Sequence, residues 1–231
     1  MDEPVKHGRP WFREHRLLWG LALVVALWVL RVVSNVAWRH WFGTMDIHET
    51  LPFALFLLGS SIVGSVGLVV GGIVWLSGIS WHELGWQRQG LAKAIRLGLL
   101  GFVLHVMSLM PLILLSGGGA PADYVRPSLA RVLLVTFFAF GYAPWIEENL
   151  FRGYLQPLLV ERLPLGLAVV TQAALFTLSH IGYATSLLQF GWLLVSGMIF
   201  GWLRGRDRSL VAPYLAHALG WMMTLFGPPA F

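Results

Sequence analysis

Long apolar segments, separated by short polar ones, run through the whole chain. Seven of these segments come close to or exceed the ~20 residues that a helix needs to cross a lipid bilayer. They are residues 17–37, 51–79, 94–116, 129–160, 165–183, 186–203 and 209–226. The pattern therefore predicts an all-α fold, a polytopic membrane helix bundle of about seven transmembrane helices.

The first residues of the chain are charged and contain no long apolar segment. The apolar segment that follows them is too long for the core of a signal peptide, and no clear cleavage site follows it. We therefore expect residues 1–16 to form a cytoplasmic tail and residues 17–231 to form a single transmembrane helical domain.

Lysine and arginine are distributed unevenly between the polar segments. Twelve of the 16 basic residues lie in residues 1–16, 80–96, 147–164 and 204–208, which share one side of the membrane if all seven segments cross it. Because basic loops stay in the cytoplasm, this distribution predicts a cytoplasmic N-terminus and an external C-terminus. We expect an integral protein of a bacterial inner membrane.

The composition also indicates a chain that is embedded in lipid. Hydrophobic residues make up 57% of the sequence and charged residues only 12%, against roughly 25% charged residues in soluble domains. The net charge of +5 does not indicate a nucleic-acid partner, because the basic residues lie at the ends of apolar segments. The absence of cysteine excludes disulfides, thiolate metal sites and a cysteine nucleophile.

Two carboxylates and an arginine interrupt the fourth apolar segment, at Glu147, Glu148 and Arg152. A charge at the centre of a bilayer costs at least ~2.5–3.5 kcal/mol, so such a cluster indicates a functional site. On a helix Glu148 and Arg152 share a face, whereas Glu147 points about 100° away from Glu148. We expect one carboxylate to pair with Arg152, and the other to face a cavity and act as a base.

Histidines in two later segments are positioned to meet this cluster. His180 lies four residues after Phe176, and His217 lies in the last apolar segment. Counted from the turn near Pro164, His180 comes within about 3 Å of the height of Glu148. We therefore expect Glu147 and His180 to lie in contact, with His217 at the same site.

Other polar and small residues in the apolar segments have simpler interpretations. We expect Arg31 to reach a membrane interface or to pair with a neighbour, and His105 to be a structural histidine held by a hydrogen bond. Glycines spaced four residues apart favour close helix packing and permit a homo-oligomer. They are Gly67 and Gly71 in the second segment, and Gly197, Gly201 and Gly205 in the sixth.

Two further interpretations of the charged cluster stay open from the residues alone. The glutamates, arginine and histidines can form a structural polar network that joins helices. Glu147, His180 and His217 can also bind Zn²⁺, although the chain has no H-E-x-x-H motif.

The motifs Glu147-Glu148-x-x-x-Arg152 and Phe176-x-x-x-His180, followed by a late histidine at His217, resemble the CPBP family. This family includes the CAAX prenyl protease type II and the bacteriocin-processing, or Abi, proteins. The similar core spans about residues 129–226. The resemblance implies an intramembrane glutamate-dependent endopeptidase that hydrolyses a peptide bond of a membrane-associated protein or peptide, without a metal or other cofactor.

The resemblance also implies a role for each residue. Glu147 would be the general base that activates a water with the help of His180. Glu148 and Arg152 would orient the site, and His217 would stabilise the oxyanion.

Phe176 and Trp221 would line the site, and Trp221 marks a departure from the family. The family usually has an asparagine four residues after the last histidine, where this chain has Trp221. The indole N–H donates a hydrogen bond but cannot accept one. A catalytically silent protein with an immunity or scaffold role is therefore the alternative, and a proton-coupled transporter is a third class.

Overall fold

Helices account for nearly all of the chain that the structure describes. The structure is a computed structural model that describes residues 9–42, 51–115, 127–182, 184 and 186–225. Within these ranges there are nine helices and no strand, which confirms the all-α prediction. They are α1 (Pro10–Glu14), α2 (Arg16–Phe42), α3 (Leu51–Ile62, continued by π-helical turns over Val63–Leu76), α4 (Trp81–Leu84), α5 (Leu91–Leu115), α6 (Leu129–Val160), α7 (Leu165–Leu178), α8 (Leu187–Asp207) and α9 (Val211–Met222).

Five of the described helices are long and apolar enough to cross a membrane. They contain the stretches Arg16–Trp41, Ala54–Leu76, Leu91–Pro111, Leu129–Val160 and Leu187–Asp207. This confirms a polytopic membrane helix bundle. The other two predicted spans are α7 and α9, which have only 14 and 12 residues, fewer than the ~20 of a full span.

The ends of the chain fall partly outside the described residues. Residues 1–8 of the predicted tail lie outside them, and α1 occupies part of the rest. Residue 226, the last of the predicted core, also lies outside them.

Serines begin three of the helices by capping them. Ser80 and Glu83 form a capping box, in which the Ser80 hydroxyl accepts from the Glu83 N–H at 3.2 Å and Glu83 accepts from the Ser80 N–H at 2.7 Å. Ser128 and Ser186 each accept a backbone N–H three residues further on. Each cap stabilises its helix by about 1 kcal/mol.

The middle of α6 is the most buried part of the described chain, since every residue from 146 to 156 is buried. The turns over Glu148–Leu155 are π-helical, and therefore wider than those of an α-helix. One apolar cluster packs α2, α3 and α7 against α6. A second apolar cluster joins α5, α8 and α9.

Four basic parts of the chain lie together at one end of the bundle. The backbone N–H of Arg9 donates to the last residue of α3 at 3.1 Å. Lys93, near the start of α5, forms an ion pair of 2.5 Å with Asp207 at the end of α8. A Cβ on Gly205 of α8 would lie 3.1 Å from Leu165, the first residue of α7. The start of the described chain, the start of α5, the α6–α7 turn and the end of α8 thus share one side, as the charge distribution requires.

The glycines of α8 allow close packing against α7, as predicted. A Cβ on Gly197 would lie 2.9 Å from the Ala173 Cβ, and one on Gly201 would lie 2.5 Å from Gln172 Nε2. Helices α7 and α8 therefore approach each other along a stripe that has no side chains on the α8 side.

The glycines of α3 that pack are not the predicted pair. A Cβ on Gly67 would have no neighbour within 4 Å, and one on Gly71 would meet only backbone of its own helix. Within the described chain the close contacts are made instead by Gly64, against Ile146, and by Gly72.

We predict that Gly197→Ala destabilises the protein by about 1–3 kcal/mol, because the added methyl would contact both Cα and Cβ of Ala173. Gly67→Ala is the matched control, since it adds the same methyl in open space and changes stability by less than about 1 kcal/mol. Thermal unfolding in detergent measures both. Equal melting temperatures for the two variants would contradict the packing of α7 on α8.

Candidate active site

The charged cluster of α6 lies inside the bundle and is fully removed from its surface. Glu148 and Arg152 are both 0% exposed, and Arg152 Nη1 donates to Glu148 Oε1 at 3.0 Å. The pairing expected from their four-residue spacing is therefore confirmed. Removal of either partner of such a pair would leave an uncompensated charge inside the bundle.

Arg152 is held by a carbonyl and by three aromatic rings. Its Nη2 donates to Gly197 O of α8 at 3.2 Å. The guanidinium carbon lies 4.4 Å from the ring centre of Phe176 and 5.3 Å from that of Phe200, and the Phe151 ring lies slightly further away. The faces of these rings attract the cation. Arg152 thus connects α6 to α7 and α8.

His217 of α9 contacts both carboxylates. Its Nδ1 lies 2.8 Å from Glu148 Oε1, and its Nε2 lies 3.7 Å from Glu147 Oε2. Its ring stacks on Phe200 at 4.8 Å. Because an ionised carboxylate only accepts hydrogen bonds, Nδ1 carries the proton and Nε2 of the neutral ring keeps its lone pair.

His180 lies just after the end of α7, and the same tautomer applies to it. Its Nδ1 donates to Phe176 O at 2.8 Å, so Nε2 of the neutral ring is an acceptor. Phe176 is buried, and its ring lies 4.7 Å from the His180 ring. Phe176 thus forms a wall between Arg152 and His180.

Glu147 contacts Arg31 of α2 in place of the predicted partner His180. No hydrogen bond joins these two residues in the described chain. Arg31 of α2 instead pairs through Nη2 with Glu147 Oε1, and donates through Nη1 to Ser179 Oγ at 3.1 Å. Glu147 is therefore not the unpaired carboxylate that the spacing suggested.

Arg31 pairs with a neighbour, Glu147, as the second of the two expectations for it predicted. Its position in the sequence contained the signal. It lies 15 residues after the start of α2 and 11 residues before its end, which is ~22 Å and ~16 Å along the helix axis. An arginine side chain is too short to span either distance, so a charged partner had to be sought inside the bundle.

The four charged groups of the site balance each other. Glu147 and Glu148 face Arg31 and Arg152, and both carboxylates are buried. Each carboxylate uses one oxygen for these contacts. The second oxygens, Glu147 Oε2 and Glu148 Oε2, are buried and accept no hydrogen bond from the described residues.

Two other predicted residues lie beside the cluster. His105 of α5 is buried, with its Nδ1 3.1 Å from Ser196 Oγ, which confirms a hydrogen-bonded structural histidine. Trp221 lies one turn after His217 on α9, and its ring packs edge-on against Phe138 at 4.5 Å. The role of Trp221 at the site stays a prediction.

The alternative zinc set is not assembled as a metal site. Among the residues that the structure describes, no three histidine, aspartate or glutamate side chains are arranged to hold a metal ion. Glu147, His180 and His217 therefore do not form such a group in this conformation. Metal dependence itself stays a prediction.

Comparison with protein families identifies the part of the chain that carries the site. Residues 129–223 match the family model described as type II CAAX prenyl endopeptidase Rce1-like. This region is similar to the Rce1-like family. The match confirms the predicted resemblance, and at the family level it supports a membrane protease, a hydrolase.

The Rce1-like region contains α6 to α9, and with them both carboxylates, Arg152, His180 and His217. Arg31 lies outside it. Neither the comparison with curated proteins nor the comparison with solved structures found a match.

We predict that Arg152→Met lowers the free energy of unfolding by about 3–5 kcal/mol, because it leaves Glu148 buried without its cation. Arg162→Met is the matched control. Arg162 also pairs with a glutamate, at 3.3 Å, but both side chains are more than half exposed, so its loss costs less than about 1 kcal/mol. Unfolding in detergent distinguishes the two, and equal losses would contradict a buried pair.

Proposed function

We propose that this chain is an intramembrane glutamate-dependent endopeptidase that hydrolyses a peptide bond of a membrane-associated protein or peptide. One observation carries the proposal. Glu147 Oε2 and His217 Nε2 lie 3.7 Å apart inside the bundle, and Glu147 Oε2 accepts no hydrogen bond from the described residues. Both atoms are acceptors when the histidine is neutral.

Two acceptors at this separation suit the binding of one water molecule. A water about 2.8 Å from each atom can donate one hydrogen to Glu147 Oε2 and the other to His217 Nε2. As its oxygen attacks the carbonyl carbon of the substrate, Glu147 takes the first proton. That proton then passes to the amide nitrogen, the C–N bond breaks, and an acid and an amine leave.

The histidines complete the proposed reaction because of the way their Nδ1 atoms are held. Glu148 orients His217, and the carbonyl of Phe176 orients His180. Each ring therefore presents Nε2 to the reacting groups as a hydrogen-bond acceptor. The hydroxyl of the tetrahedral intermediate keeps its second proton and shares it in a hydrogen bond to His217 Nε2. The oxyanion contact that the resemblance implies for His217 stays a prediction.

Glu148 and Arg152 act in this proposal by holding the site and not by transferring protons. Both are fully buried, and together they contact His217, Gly197 and the ring of Phe176. A site held this rigidly keeps the base within the small tolerance that catalysis needs.

We also propose the orientation of the protein in a bacterial inner membrane. Five apolar helices support an integral membrane protein. The basic end of the bundle would face the cytoplasm, with the N-terminus on that side and the C-terminus outside. The substrate, anchored in the bilayer, would reach the site from the cytoplasmic leaflet.

We predict that Glu147→Gln lowers the cleavage rate by about 10²–10⁴-fold, because the amide cannot take the proton from water. The assay uses purified protein in liposomes with a library of lipid-anchored peptides, and mass spectrometry identifies the cleaved bonds. Arg162→Gln is the control and leaves the rate unchanged. Identical products from wild type and Glu147→Gln, or a folded wild type that yields no product, would favour the silent immunity or scaffold alternative.

We predict that exhaustive treatment with EDTA leaves the cleavage rate unchanged, because the proposed water is activated by side chains alone. The measurement compares the same liposome assay before and after chelation. A loss of activity that added Zn²⁺ restores would show that the protein is a metalloprotease.

A further inference from the structure

Three side chains on one face of α2 donate hydrogen bonds to the same short segment. Trp28, Arg31 and Asn35 are spaced by three and four residues, and so lie along one side of the helix. Their acceptors lie in the loop after α7, which carries His180. In order, the acceptors are Ile181 O at 3.0 Å, Ser179 Oγ at 3.1 Å and Gly182 O at 3.0 Å.

Among these three, Arg31 alone also contacts the proposed base. Its planar guanidinium spreads two nitrogens, so that Nη2 pairs with Glu147 while Nη1 donates to Ser179. Its side chain is only 11% exposed, so little solvent screens this charge. The residue after Ser179 is His180, so one side chain connects the proposed base to the segment that carries His180.

We propose that Arg31 is a positioning residue that holds Glu147 Oε1, so that Oε2 remains available to the reacting water. In the same contact it fixes the loop that carries His180. This proposal rests on the proposed function, and it adds a residue from outside the Rce1-like region to the site.

The reason for the expected effect is the proximity of two buried carboxylates. Without Arg31, Glu147 and Glu148 would share Arg152 as their nearest strong cation, and Arg152 is already committed to Glu148 and Gly197 O. Glu147 would then be free to rotate toward Arg152 or His217. A shift of about 1 Å in the base is enough to reduce the rate about 100-fold.

The test compares four variants in the liposome assay. Arg31→Met should lower kcat about 100-fold while KM changes less than about threefold, because Arg31 orients the base and does not bind substrate. Arg31→Lys keeps the charge but has one nitrogen to share between Glu147 and Ser179, so kcat should fall only about 10-fold. Asn35→Leu and Trp28→Phe are the matched controls. Each removes one bond to the loop and leaves Glu147 untouched, so kcat should fall less than about threefold.

Two results would overturn the proposal. One is a wild-type kcat for Arg31→Met. The other is an equal loss of kcat for Arg31→Met, Arg31→Lys and Asn35→Leu. Arg31 would then be only one of three residues that hold the loop by a hydrogen bond. If Arg31→Met does not fold, the kcat values of Arg31→Lys and Asn35→Leu are compared instead. An equal loss for these two variants would overturn the proposal.

Hydrogen–deuterium exchange tests the same idea without an activity assay. Arg31→Met should increase exchange in residues 179–182 more than Asn35→Leu does, and unchanged exchange would overturn the role in holding the loop. This separates the two proposals. If wild type and Glu147→Gln cleave equally, the proposed function fails, whereas the exchange data still decide whether Arg31 fixes the loop.

Discussion

The structure depends on the balance of four buried charges in a bundle that is surrounded by lipid. Glu147 and Glu148 are neutralised by Arg31 and Arg152. Three of these side chains are buried, and that of Arg31 is only 11% exposed. An unpaired charge in such a place would cost several kcal/mol. The helices are therefore held where the charges meet. Helix α6 is tied to α2 through Arg31, to α8 through Gly197 and to α9 through His217.

Local spacing predicted the pairing within the site that lies on one helix. The pairing of Glu148 with Arg152 follows from the four-residue repeat of a helix, which neighbouring helices do not change. The close packing of α8 could be predicted in the same way, because small residues spaced four apart form a smooth stripe along any helix. Five of the seven predicted spans were found as long apolar helices, because apolar segments of this length have few other structures available in a membrane.

Contacts between helices were harder to predict, and two physical reasons account for the errors. The height of His180 was calculated with 1.5 Å per residue throughout, yet α6 is π-helical over Glu148–Leu155 and α7 ends at Leu178, before His180. Both differences change the height and direction of a side chain. Arg31 was missed as a site residue because its partner is 116 positions away, and periodicity carries no information about which distant helix lies opposite. Its distance from both ends of α2 was the one local clue.

The pairing of Arg31 with Glu147 has a consequence for the biogenesis of the protein. The ribosome makes α2 long before α6, so Arg31 enters the translocon while its carboxylate partner has not yet been synthesised. Insertion scales assign ~2.5–3.5 kcal/mol to such a lone arginine, which the leucines and valines around it have to outweigh. Helix α2 must therefore be apolar enough to integrate alone, and its final orientation in the bundle is selected later, when α6 arrives with the opposite charge.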